Sequence, residues 1–165
     1  MGLLTDYFAA TPEQAAAMDI RTGPTGPAEE SARQDPPSGD GTTRAPRRVE
    51  DVLAVKGIEP TVTMATLEAI LTGADDMEII ESDAEPLIAD GGPEGPWLVA
   101  LRPQLQAALV STPPGGWLAV AERWVATEEL VGTPASAAVS FLEKLAGLAR
   151  RASDRAQRLY CWMSL

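Results

Sequence analysis

The chain has 165 residues and 45% apolar content, enough for one globular domain without disulfides or metal. Its 24 acidic and 13 basic residues leave a net charge of −11, which opposes association with phosphate backbones and anionic membranes. Histidine is absent and cysteine occurs once, at Cys161, so Ser-His-Asp and Cys-His catalysis, ordinary zinc sites and internal disulfides are excluded.

A single cysteine fits a reducing compartment. The N-terminus lacks the basic start and long apolar run of a signal peptide, and no stretch approaches the roughly 18 apolar residues that span a bilayer. A cytoplasmic location is therefore expected.

Along the chain, residues 12–20 read as a short helix, with Thr11 as N-cap and Pro12 at the first helical position. Residues 21–48 follow, and nine of these 28 are Gly or Pro. None is aromatic, Val, Ile or Leu, so the segment cannot bury enough apolar area to offset its ordering entropy. It is expected to be a disordered insertion that divides residues 1–20 from a main domain at 49–165.

Residues 52–55 form a strand candidate closed by Gly57. Thr63 is expected to cap a helix over 64–72, with Met64, Leu67, Ile70 and Leu71 on one face and Gly73 as its left-handed terminator. Residues 77–81 and 85–89 are weaker strand candidates, the second with Pro86 at an edge or a strand start. Residues 97–101 form a strand and a helix runs from Arg102-Pro103 to Val110. After the break at residues 113–116, an amphipathic helix is expected over 117–130, with Trp117, Val120, Ala121 and Trp124 on one stripe.

The strongest helical pattern covers 134–155, where Phe141, Leu145, Leu148 and Ala152 keep spacings of four, three and four. Arg150, Arg151 and Arg155 complement the negative end of its dipole. The closing apolar run, 159–165, is expected inside a sheet, because an exposed edge this apolar invites aggregation. These elements predict an α+β fold: a small mixed β-sheet packed against amphipathic helices in a single domain.

Met1-Gly2-Leu3-Leu4 with Tyr7-Phe8 and Pro12-Glu13, the strand 98–101 running into Arg102-Pro103-Gln104, and Phe141-Leu142-Glu143-Lys144-Leu145 with Leu159-Tyr160-Cys161-Trp162 form a pattern. It resembles the YfbM-like family of small bacterial proteins of unknown function over about half the chain. The resemblance implies a compact α/β or α+β domain with no assigned activity and no functional residues to carry over. Some members are suspected to be immunity proteins that neutralise toxins. The 21–48 insertion departs from the family pattern, as does the Met1–Thr5 start, where a helix is as readable as a first strand.

Charge is concentrated in one quarter of the chain. Residues 50–90 hold eleven acids against one base, Lys56. Asp75, Asp76, Glu78, Glu81, Asp83 and Glu85 form its densest part and are the candidate partner-binding residues for a basic protein, with no nucleic acid, membrane, metal or cofactor implied. If 77–85 were extended, Glu81, Asp83 and Glu85 would share a face, but Pro86 and Gly92 stand where a calcium loop needs Gly and Glu. A solvated acidic loop is the simpler reading.

Cys161, set among Leu159, Tyr160, Trp162 and Met163, reads as core and not as a nucleophile. The four tryptophans also read as core; Trp97 or Trp117 would become a binding anchor if exposed beside the acidic residues. The leading expectation is a non-enzymatic, immunity- or inhibitor-type protein. Its rivals are a carboxylate enzyme using Glu68, Glu128 and Glu129, and a housekeeping domain without a ligand.

Overall fold

The computed structural model describes residues 2–25, 49, 51–82 and 87–165. Asp83, Glu85, Pro86 and most of the 21–48 insertion lie outside the described residues. The elements run β1 (Leu4–Ala10), α1 (Pro12–Ala16), β2 (Val52–Lys56), α2 (Val62–Thr72), α3 (Asp76–Glu81), β3 (Leu87–Asp90), β4 (Trp97–Ala100), α4 (Pro103–Ser111), α5 (Trp117–Trp124), α6 (Ala135–Asp154) and β5 (Arg158–Ser164). Short 3-10 turns cover Pro114–Gly116 and Glu128–Leu130. The fold is α+β, as the element pattern predicts.

The five strands form one sheet in the order β2-β1-β5-β4-β3, and every pairing is antiparallel, so the sheet is not the mixed one expected, although the α+β class stands. The C-terminal strand is thus central, paired with β1 on one side and β4 on the other. Its continuous apolar run has a simple cause: both of its faces are covered. Leu159 and Cys161 point into the larger core with Tyr7, Val99 and the helices, while Tyr160 joins Phe8, Ala10, Leu98 and Ala100 on the opposite face. Helices α2, α4, α5 and α6 supply the first layer. Helix α1 and the loop after it cover the second through Ala15, Met18 and Ile20.

The start that could be read as helix or first strand is a strand, and it runs on to Ala10. Leu4–Ala10 is extended because it pairs with β5 over seven residues and with β2 over five. Tyr7 donates its hydroxyl to the Ile58 carbonyl at 2.7 Å, fixing the buried side of the strand. Helix α1 has the predicted cap: Thr11 Oγ1 accepts from the Gln14 N–H, and Gln14 Oε1 accepts from the Thr11 N–H. It ends at Ala16, not Ile20. There the chain turns about Asp19 so that Gly23, at φ +65°, lies flat on the Trp162 ring.

Helix α2 starts earlier than expected. Thr61 occupies the N-cap position without a side-chain cap; Glu59 takes that role, its carboxylate oxygens accepting from the Thr61 and Thr63 N–H groups at 2.7 Å each. Gly73 terminates the helix in the left-handed region, as predicted. Residues 77–81 are helical, not a strand. Asp75 is a strong N-cap, accepting from the N–H groups of Met77 and Glu78, and Ile79 alone is drawn into the interior. The helix expected over 117–130 stops at Trp124 and resumes as a 3-10 turn. No helix among the described residues is long and apolar enough to cross a membrane.

Candidate functional site

The chemistry concentrates where α2, α3 and the β4–α4 junction meet. Helix α2 is enclosed over its first turns, with Thr63, Met64, Ala65, Thr66, Leu67 and Glu68 all buried. Glu68 is thereby carried inside with only 2% of its surface exposed. A lone carboxylate would not persist there. Arg102 meets it from the N-cap position of α4, an extended residue held by the following Pro103.

The Arg102 Nε–H points at both carboxylate oxygens, at 3.1 Å to Oε1 and 2.9 Å to Oε2. Arg102 Nη1 donates to Ser82 Oγ at 2.6 Å, and Ser82 Oγ donates to the Ile79 carbonyl at 2.7 Å. One guanidinium therefore joins α2, the end of α3 and the start of α4. Burial pushes the Glu68 carboxyl above its ordinary range, and the charge and hydrogen bond of Arg102 pull it back only in part.

This pair sits against an open pocket of about 330 Å³ lined by Glu68, Thr72, Asp75, Glu78, Ile79 and Arg102, with Ala74 and Gln104 completing the wall. Most of its wall is apolar, and three carboxylates face one guanidinium. Among the described residues no group of acidic or thiol side chains is placed to hold a metal ion.

The structure sorts the candidate partner-binding residues. Asp75 and Asp76 are committed locally, each accepting from the Met77 N–H at 2.9 Å. Glu78 and Glu81 project from α3 into solvent, one turn apart, beside the exposed Met77. Elsewhere in the acidic stretch, Asp51 pairs with Arg151, Glu59 caps α2, and Asp90 accepts from the Gly92 N–H. The acidic quarter of the sequence is thus not one acidic surface. Among the described residues much of its charge is spent on caps, turns and ion pairs, and α3 carries what is left. Arg102–Glu68 and Arg151–Asp51 are the salt bridges among the described residues, so Glu78 and Glu81 form no ion pair among them.

Other expected sites resolve as core or surface. Cys161 is fully buried. Trp117 and Trp124 are buried, Trp124 donating to the Thr63 carbonyl at 3.1 Å, so Trp117 is no surface anchor. Trp97 is half-buried against Gly95. Glu128 and Glu129 are exposed on their 3-10 turn and do not line the pocket with Glu68. Sequence reasoning missed Arg102 as a site residue; its one signal was an arginine between an apolar strand and a proline-led helix. Comparison with protein families, with curated proteins and with solved structures returns no match to this chain.

Proposed function

We propose that the protein is a non-enzymatic binding domain that presents α3 and its surroundings to a basic protein partner, as an immunity- or inhibitor-type protein does. The carrying observation is the charge of α3, which forms no ion pair among the described residues: Glu78 and Glu81 stand exposed, flanked by Asp75 and Asp76, with Met77 57% exposed among them. An apolar side chain ringed by carboxylates suits a partner that is basic and also offers an apolar contact. The pattern-level likeness to the YfbM-like family belongs to the same proposal.

The test uses the full chain as bait in its native extract, followed by reconstitution with the purified partner. Glu78→Lys with Glu81→Lys is expected to weaken that complex about tenfold or more. Reversal of the exposed Glu122 and Glu143, on α5 and α6, is expected to change it less than about twofold. An acidic partner, or equal losses from both pairs, would overturn the reading.

A further inference from the structure

The pocket beside α3 has a more specific chemistry than a negative surface. Glu68 is almost completely buried, yet its two oxygens share a single N–H, from Arg102 Nε. An ionised carboxylate has about four acceptor positions, so most of this one's capacity is unused inside the protein, where unmet acceptors are costly. Glu78 and Asp75 stand in the same wall. Ile79 and Ala74 add apolar lining to the same pocket. The volume, about 330 Å³, is at the small end of ligand pockets. Three carboxylates outnumber one guanidinium, so the occupant that complements the site is a cation, and the apolar wall asks for a hydrocarbon stem behind its charge. No cluster here suits a bare metal ion.

We propose that this pocket receives one arginine side chain of the basic partner, its methylene stem against Ile79 and Ala74 and its guanidinium shared by Glu68 and Glu78. Arginine fits better than lysine because it is more weakly hydrated and its planar fork serves two oxygens at once. Arginine is also one of the side chains enriched among interface hot spots, and its stem can lie along apolar surface. The inference rests on the α3 reading above and adds to it the residue type the partner must supply.

The experiment is a two-dimensional amide NMR titration of the full chain with Nα-acetyl-arginine amide, and separately with Nα-acetyl-lysine amide, at physiological salt. The arginine probe is expected to give saturable shifts confined to residues 68, 72–79 and 102–104, with a Kd on the order of 1 mM. The lysine probe is expected to bind several-fold more weakly. Ala74→Phe fills the pocket at an exposed position and is expected to abolish the arginine shifts; Glu143→Gln, on α6 and outside the pocket wall, is expected to leave them. Should Ala74→Phe fail to fold, Glu78→Gln is the second variant, expected to weaken the arginine probe several-fold. Unsaturable shifts spread over all acidic residues, equal binding of lysine, or unchanged binding to the filled pocket would each overturn the proposal. Those results leave the charge-reversal test of α3 standing, whereas failure of that test removes the partner and leaves any titration result as binding of free arginine alone.

Discussion

Arg102 and Glu68 show how far one residue's role departs from its local sequence. The Glu68 side chain is 3% exposed and that of Arg102 12%, so neither charge is strongly screened by water. Arg102→Met is expected to destabilise the fold by about 3–5 kcal/mol, because it strands the carboxylate. Glu68→Leu combined with Arg102→Met is expected to recover most of that loss, and denaturant unfolding of the three proteins checks it.

Asp6 offers a second test at the same scale. It lies in β1 opposite Ala54 and Trp162, and burial pushes its carboxyl above the ordinary 3.8. The native state therefore holds this proton more tightly than the unfolded chain. The group's contribution to stability falls as pH rises from 3.8 through the raised native value. Asp6→Asn is expected to be more stable than the parent at pH 7, with the gap closing below about pH 4. A gap that is constant across that range would contradict the burial argument. The raised Glu68 carboxyl has the same sign.

At the level of elements, the strongest periodic signals were legible and the short ones were not. Helix α6 lies within one residue of its predicted ends because Phe141, Leu142, Leu145 and Leu148 form one stripe that buries against the sheet. Each such side chain contributes roughly 1.5–3 kcal/mol on burial, which outweighs any local ambiguity. Residues 76–81 lacked that advantage. Met77, Glu78, Ile79, Ile80 and Glu81 suit a strand or a single helical turn, and the Asp75 cap selected the helix. The start of α2 was misread for a similar reason. Three nearby threonines, Thr61, Thr63 and Thr66, obscured that Glu59 does the capping. Glu59→Ala is expected to cost about 0.5–2 kcal/mol, measured by thermal or denaturant unfolding, while Thr61→Ala is expected to cost much less. Equal losses would assign the cap to Thr61 instead.

For the whole molecule, net charge and its placement are separate properties. The sum of −11 follows from composition, and a charge of this size is expected to make association with the proposed basic partner fast and salt-sensitive. The association rate of the reconstituted complex is accordingly expected to fall steeply between about 0.01 and 0.15 M salt, as the screening length shortens from about 30 to 8 Å. The dissociation rate is expected to move far less. Placement is decided by the fold. Eleven acids crowded into residues 50–90 suggest a uniform patch, yet Asp51, Glu59, Glu68, Asp75, Asp76 and Asp90 each serve a cap, a turn or an ion pair.

Composition and periodicity alone determined the α+β class, the long α6 stripe, the buried Cys161, the central C-terminal strand and the absence of imidazole chemistry. Each of these depends on residue type or on spacing within one segment, and such information survives without the rest of the chain. Tertiary structure alone decided that Leu4–Ala10 is a strand and that Glu68 lies buried against Arg102. Those outcomes turn on partners 34 to more than 100 residues away in the chain, whose pairing and burial energies exceed the small local preferences they override.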